Sequence, residues 1–518
     1  MNQTLLEQYM QVVSTNLLYN RNRAQWDYLL NSYMGGMEYK RAGMLTKYVN
    51  ESSAEYDSRV ISTHLENSCK SVVSTYISFM FREEPKREFA SIEYEQMLQD
   101  FLEDADHDGR SFDAFMKETA VWSSVFGHCW VMCVKPNVGA QTLGQEQMIG
   151  ARPYLTLLTP LTVMDWRWDR LPSGKFTLDY LKYAEEANDT VSVIKEWTKE
   201  TITTYEVNHR DKSVKNMTVE TNGLGEIPAT IAYNQRSPVR GIGVSDINDI
   251  ADAQRFIYNL NSEVEQSVRI NGHPALVKTP GTEASAGAGA IIQMEDNLDP
   301  GLKPYILSVS TDINSIYNAI NHVTESIDKM ANTGSIRATE SRRMSGVAQE
   351  QEFQLLNARL SEKADNLELT EEQIWQWYAQ YQGYIWDGEI EYPSSFAIRD
   401  TVNEITQLKM AKETATDPAV LRKIDEHILE WMGEEKEFLP FIDPNPQPGR
   451  LYPDGEEINA NLPAAYQPAS NAEVPQGENC GNCEYYKPGE MYCTKFDAPV
   501  RAVYWCAKWE AVEEDEYN

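Results

Sequence analysis

Positive charge is scarce in this chain. Forty-six Lys and Arg stand against 79 Asp and Glu in 518 residues, a formal net charge of −33. Such a surface repels a phosphate backbone, which argues against tight, salt-sensitive nucleic-acid binding of the ordinary kind. It does not exclude a protein that surrounds DNA and lets it slide, and it keeps a large assembly soluble. The plain alternative is an acidic cytosolic protein. No apolar run approaches the roughly 20 residues that cross a bilayer, so no membrane partner is expected. The opening MNQTLLEQYM lacks a basic stretch leading into an apolar core, so an intracellular product is expected. The 7 histidines are dispersed, and neither G-x-S-x-G nor H-E-x-x-H occurs. Catalytic residues are therefore not expected, and the chain is read as a non-enzyme. Cysteine is sparse as well, with 7 in all. Cys69, Cys129 and Cys133 lie among apolar neighbours and are expected to pack as small buried residues.

The order of elements carries more. The length allows two to four domains, and the pattern predicts an α+β chain. Residues 1 to about 85 read as helical, with one segment over Arg59–Phe81 carrying Ile61, Leu65, Val72, Val73, Tyr76 and Phe79. Between about Val121 and Tyr233, HCWVMCV, YLTLLTPLTVMDW, KFTLDYLKYA, VSVIKEW and TITTYEV read as short strands. A long amphipathic helix follows, with Ile247, Ile250, Ile257, Leu260, Val264 and Val268 three, four or seven apart. After a Gly/Ala/Pro-rich interlude, Ile313, Ile316, Ile320, Val323, Ile327 and Met330 mark a second such helix. A short basic segment, Thr333–Gly346, leads into a third and longer one. The predicted division is 1–244, helices and an α+β region; 245–332, two long helices around an excursion at 273–310; 333–346, the basic loop; 347–438, a long helix and further helical chain. A Pro-rich extended linker over 439–478 and a cysteine module over 479–518 complete it.

Three motifs need weighing. Asp104-Ala-Asp106-His-Asp108-Gly109 matches the start of an EF-hand loop, but the twelfth position, which should be a bidentate Glu, is Phe115. A structural turn is expected. The Gly281–Gly289 stretch lacks the Gly-Lys-Ser/Thr of a phosphate loop and is read as a packed or flexible segment. Arg337, Arg342 and Arg343 sit together in a chain short of positive charge. Contact with phosphates and simple pairing with Glu340 and Glu350 both remain open.

The tail has the strongest local chemistry. Cys480, Cys483, Cys493 and Cys506 form C-x2-C-x9-C-x12-C, a set able to bind one zinc or one iron–sulfur cluster. Tyr485, Tyr486, Tyr492, Phe496, Tyr504, Trp505 and Trp509 crowd around it, which suits a dry shell about a bulky inorganic core. So small a module needs a staple. A [4Fe–4S] cluster is expected, with zinc as the alternative.

The tail, NCGNCEYYKPGEMYC and then VYWCAKW, resembles high-potential iron–sulfur proteins, in which the four cysteines each bind one iron of a [4Fe–4S] cubane. The body, roughly residues 15–435, resembles portal proteins of tailed bacteriophages. The likeness rests on Tyr76-Ile-Ser-Phe-Met-Phe-Arg-Glu-Glu-Pro85, Asp108-Gly109 before Val125-Phe-Gly-His-Cys-Trp-Val-Met-Cys-Val-Lys-Pro136, Gly243-Val-Ser-Asp-Ile-Asn-Asp-Ile250 heading a helix with Asn259 and Ser262, and Ser345-Gly-Val-Ala348. That resemblance implies two stem helices at 245–271 and 311–332, a clip at 273–310 and a tunnel loop at 333–346, whose Arg337, Arg342 and Arg343 would face the DNA channel. It also implies a long wing helix from 347 and a crown at about 400–438. The implied partners are a ring of twelve copies, double-stranded DNA in transit, terminase, a head–tail adaptor and capsid protein. The place would be the portal vertex of a virion, assembled in the host cytoplasm. The rival readings are an electron-transfer protein working through the tail cluster, and a zinc-stapled virion protein other than the portal.

Overall fold

The computed structural model describes residues 3–93, 97–139, 142–188, 190–272, 275–277, 305–307, 312–334 and 346–396, with single residues at 299 and 412. Toward the C-terminus it describes 452, 458–459, 461–463, 465–471, 474–487, 489 and 491–511. The chain divides into two compact units, 1–397 and 398–518, taken here one at a time. The Gly281–Gly289 stretch, the basic loop with Arg337, Arg342 and Arg343, and the expected helices over about 400–432 lie outside the described residues.

The first unit opens with helices α1 (Gln3–Val12), α2 (Leu17–Met34), α3 (Gly36–Arg41), α4 (Ser53–Ser62) and α5 (Ser68–Met80). The single helix expected over Arg59–Phe81 is in fact two. Thr63 turns to extended backbone at the end of α4, with its hydroxyl on the Arg59 carbonyl at 2.6 Å. Asn67 then restarts the chain by accepting the Lys70 amide at 2.9 Å, an N-cap worth about 1 kcal/mol. Ile61, read as part of one apolar face, is 63 % exposed.

Next come β1 (Lys86–Glu88), α6 (Leu98–Glu103), α7 (Phe112–Phe126), β2 (His128–Val134), α8 (Leu143–Ile149), β3 (Tyr154–Leu158), β4 (Val163–Arg170), β5 (Phe176–Ala187), β6 (Val191–Thr198), β7 (Thr201–Asn208), β8 (Ser213–Thr221) and β9 (Ala229–Tyr233). They form two sheets. One is an antiparallel meander, β4-β5-β6-β7-β8, and the other has the order β3-β2-β9. HCWVMCV is buried along all but its last residue, because β2 is the central strand and α7 packs on it. A continuous apolar run is what such a strand requires. Cys69, Cys129 and Cys133 are fully buried in this core, as expected.

The last elements of the unit are α9 (Asn248–Gly272), β10 (Ala275–Val277), β11 (Tyr305–Leu307), α10 (Ile313–Ala331), α11 (Gly346–Gln382) and β12 (Glu389–Glu391). In α11, Leu356, Leu360, Ala364, Leu367, Ile374, Trp375 and Tyr378 are buried in the main core, at helical spacing. Burying each such side chain contributes roughly 1.5–3 kcal/mol. The same face also buries Glu371. Its carboxylate meets the Arg87 guanidinium at 2.5 Å, accepts the Tyr392 hydroxyl at 2.6 Å and accepts Trp375 Nε1 at 3.1 Å. A charge so placed is tolerable only because it is paired and fully hydrogen-bonded.

In the second unit, β13 (Gln467–Pro468) pairs with β17 (Tyr504–Trp505), and β14 (Tyr486–Lys487), β15 (Tyr492–Cys493) and β16 (Ala498–Pro499) make a small antiparallel sheet. Its core joins Tyr452, Leu462 and Tyr466 to Cys480, Cys493, Cys506, Phe496, Val500 and Tyr504. Of the span read as extended linker through residue 478, Tyr452, Leu462 and Tyr466 supply three of the ten buried residues of this core. Proline density disfavours helix and central strand, but it does not stop aromatic anchors between the prolines from packing. Tyr466 stacks on Tyr504 with ring centroids 4.9 Å apart, and Arg501 lies 3.7 Å over Tyr452.

Candidate functional site

Three of the quoted patches, around Tyr76, Val125–His128 and Gly243–Asp246, meet at one buried point of the first unit. Gly127 takes φ +89°, and a methyl there would lie 2.6 Å from the Gly243 carbonyl carbon and oxygen. Only glycine suits that conformation and that approach. The crossing is fixed by further bonds. The Gly243 amide donates to His128 Nδ1 at 3.3 Å, Ser245 Oγ donates to the Val125 carbonyl at 2.7 Å, and the Asp246 amide donates to the Ser124 carbonyl at 3.0 Å. Two residues later α9 begins.

Around Asp246 lies a polar hub. Lys363 Nζ donates to Asp246 Oδ2 at 2.5 Å and Ser124 Oγ at 2.6 Å, and also to Asn234 Oδ1. Arg359 reaches Asp246 Oδ1 at 3.0 Å and the Met330 carbonyl, near the end of α10, at 3.1 Å. Tyr76 lies beneath both cations, 5.2 Å from the Arg359 guanidinium and 5.5 Å from Lys363 Nζ, and its hydroxyl donates to the Ala331 carbonyl at 2.6 Å. Burial raises the Asp246 carboxyl, but Lys363 and Arg359 outweigh it and hold the group below the usual carboxylate range. Burial depresses Lys363 despite Asp246. The hub therefore joins α5, α7, β9, α9, α10 and α11.

From it a helix pair runs out and back. Ile247, Ile250, Ala251 and Ile257 root α9 in the core, and Ile327 and Ala331 root the far end of α10 there. At the other end β10 pairs antiparallel with β11. Beyond Ser262 the described side chains of α9 are half-buried to exposed, with Val268 56 % accessible, and Tyr317 on α10 is 49 % accessible. Asn259 and Ser262 secure α9 up to that point. Asn259 accepts the Thr46 amide at 2.9 Å, and Ser262 accepts from buried Arg59 at 2.9 Å. The expected helix bounds of 245–271 and 311–332 agree with these elements to within three residues.

The aspartate loop is a turn. Asp104 accepts the Gly109 amide at 2.9 Å and pairs with Arg152 at 3.1 Å, and Asp106 accepts the Asp108 amide at 2.9 Å and pairs with Arg110. Two of its three carboxylates, Asp104 and Asp106, are thus engaged within the fold.

In the second unit all four tail cysteines are buried and line one cavity with Tyr485, Tyr486, Phe496, Trp509, Lys495 and Lys508. A 3-10 turn presents Cys480, and the Cys483 amide closes it on the Cys480 carbonyl at 3.2 Å. Cys493 lies on β15 opposite Tyr486. Burial, and then the nearness of Cys506, Cys483 and Cys493, push the Cys480 thiol up to about 12. In number, type and burial this donor set fits a four-thiolate centre. Among the described residues no group of three or more His, Cys, Asp or Glu is placed so as to hold a single metal ion. The expected aromatic shell is only partly formed. Tyr492 donates to Asp497, Tyr504 stacks on Tyr466, and Trp505 Nε1 donates to Glu478 at 2.8 Å.

Fold and site thus define an α+β chain with a rooted helix pair and a separate four-cysteine unit. Scanned against protein-family profiles and against curated proteins, the sequence gives no match. Among solved structures it is similar to a chain of the neck of an empty GTA particle computed with C6 symmetry, at 11 % identity and TM-score 0.42, over 71 % of this chain and 91 % of that one. It is also similar to a chain of the virion of a native gene transfer agent (GTA) particle, at 10 % identity and TM-score 0.42, over 75 % and 97 %. A third, from the neck of a native GTA particle computed with C12 symmetry, gives 10 % identity and TM-score 0.41, over 75 % and 95 %.

Proposed function

We propose that this chain is a non-enzymatic subunit of a portal-type ring, through which DNA enters and leaves a phage-like capsid. The observation that carries the reading is the helix pair rooted at the Asp246 hub, closed at its far end by a strand pair and followed by the long α11. Its distal halves leave apolar side chains such as Val268 and Tyr317 without full cover, as helices that pack beside copies of themselves would. The net negative charge supports the reading too, since a repulsive wall lets duplex DNA slide. Arg337, Arg342 and Arg343 would then be sparse grips on phosphate in the channel. Terminase, a head–tail adaptor and capsid protein would be the partners, and twelve copies the ring.

The four tail thiols would hold a [4Fe–4S] cluster, which would cross-link the small cysteine module at the end of the second unit. Cys480, Cys483, Cys493 and Cys506 would be its ligands. Lys495 and Lys508, at the cavity wall, would offset its negative charge.

Electron microscopy of the purified, anaerobically prepared protein tests the ring. Closed rings with a channel near the width of duplex DNA are expected, and monomers or channel-free dimers would overturn the portal reading. Iron, sulfide and zinc analysis of the same sample tests the tail. A colourless protein with one zinc per chain would replace the cluster by zinc.

A further inference from the structure

A second feature of the first unit belongs to neither site. A cleft of about 670 Å³ opens between β4 and β5 of the meander, β9 of the other sheet, the loop after it, and the Gln373–Trp377 stretch of α11. In a chain of net charge −33, the described residues lining this cleft include Lys175, Lys199, Arg236 and Arg240, with Glu226 as their one carboxylate. Glu226 accepts Trp377 Nε1 at 2.9 Å, and Lys199 pairs with Asp179 at 3.1 Å. Among the described residues no carboxylate pairs with Arg236, Arg240 or Lys175. Both guanidiniums rest on aromatic rings. Arg240 lies 3.8 Å from the Phe176 centroid and 5.7 Å from Trp168, and Arg236 lies 5.4 Å from Tyr233. A guanidinium so stacked keeps its N–H edges free for a carboxylate.

Two further observations point to an occupant. Trp168 Nε1 and Thr177 Oγ1, both on residues of the cleft wall, are buried without a hydrogen-bond partner, a state that natural proteins rarely leave uncompensated. The wall also includes Ala229, Thr230, Ile231 and Tyr233 of β9, which is an edge strand in the order β3-β2-β9. An open edge offers amides and carbonyls to an extended polypeptide. A phosphodiester chain has no such ladder to return, so the wall favours a peptide over a nucleic acid.

We infer that this cleft receives an acidic, extended segment of a second copy of the same chain, with Arg236 and Arg240 binding its carboxylates. The inference rests on the ring reading and names one of the contacts that would close the ring. Charge complementarity selects the occupant: the cleft concentrates unpaired cations, and the rest of the same chain supplies the excess of acid.

Sedimentation of the full chain across concentration and salt, with wild type beside Arg236→Glu/Arg240→Glu, tests it. The double reversal is expected to raise the concentration for assembly by about tenfold or more, and wild-type assembly is expected to weaken with salt. Since the reversal could disturb the loop, hydrogen exchange on the wild-type protein serves as an independent reading. Residues 229–240 are expected to gain protection in the assembled state over the dissociated one. Wild-type rings matched by equally stable variant rings, or no added protection at 229–240, would overturn the inference and leave the ring standing. A wild type that never assembles would overturn both. Loss of duplex DNA binding with assembly intact would reassign the cleft to nucleic acid and overturn it too.

Discussion

Replacing Lys363 by Met is the most direct probe of the hub. Methionine keeps most of the aliphatic volume, so little cavity is created, while the ammonium is lost. Asp246 would keep only Arg359 as a charged partner, and the oxygens of Ser124 and Asn234 would lose their buried donor. The side chains of Lys363 and Asp246 are 5 % and 2 % exposed, so water cannot replace the missing bonds. Removing one member of such a pair typically costs about 3–5 kcal/mol. The assay is urea unfolding followed by tryptophan emission, with Lys363→Met, Asp246→Asn and the double variant compared. The double variant should fall short of the sum of the singles by about 1–3 kcal/mol, because its partners share one network. The pH dependence has a definite sign. Asp246 is depressed in the fold, so its contribution is present above the usual carboxylate range of about 4 and is lost as pH falls; Lys363→Met should flatten that acid limb. A loss below about 1 kcal/mol, or singles that simply add, would refute the reasoning.

Four other outcomes follow from the geometry. Burial holds the His128 imidazole down to about 3, so the unfolded chain takes up its proton first and stability should fall by roughly 1.4 kcal/mol per pH unit as pH drops below about 6.5; His128→Gln should remove that slope in acid-titrated unfolding. Gly243→Ala would press a methyl onto the Gly127 carbonyl, and a drop in melting temperature of several degrees is expected by calorimetry. Cys480→Ser and Cys506→Ser should bleach the visible absorption and expose the C-terminal unit to protease while the 1–397 unit melts unchanged; an unaltered spectrum would remove these thiols from the centre. Charge reversal at Arg337, Arg342 and Arg343 together should lower DNA packaging or retention with rings intact, and normal packaging would exclude their role.

The helical plan was legible because steps of three and four in Ile247–Val268 and Ile313–Met330 admit only one periodicity. The run HCWVMCV was equally plain, since a fully apolar strand belongs at the centre of a sheet. What sequence could not show is what lets a polar residue lie inside. Helical spacing puts Lys363 and Glu371 on the face of Leu356, Leu360, Leu367 and Ile374, but it does not show which partners make a charge tolerable there. Their burial follows from what α5, α7 and Arg87 bring from far along the chain. At the tail the four cysteines announced themselves by number and spacing, whereas Tyr452 and Tyr466 were hidden among prolines that read as linker.

One guanidinium, that of Arg359, grips both roots of the helix pair, holding Asp246 just before α9 and the Met330 carbonyl close to the end of α10. At 25 residues, α9 is roughly 37 Å long, and Arg359 is one of several contacts that hold its root. Because one guanidinium holds a group at each root, the two helices of the pair are tied to each other as well as to α11.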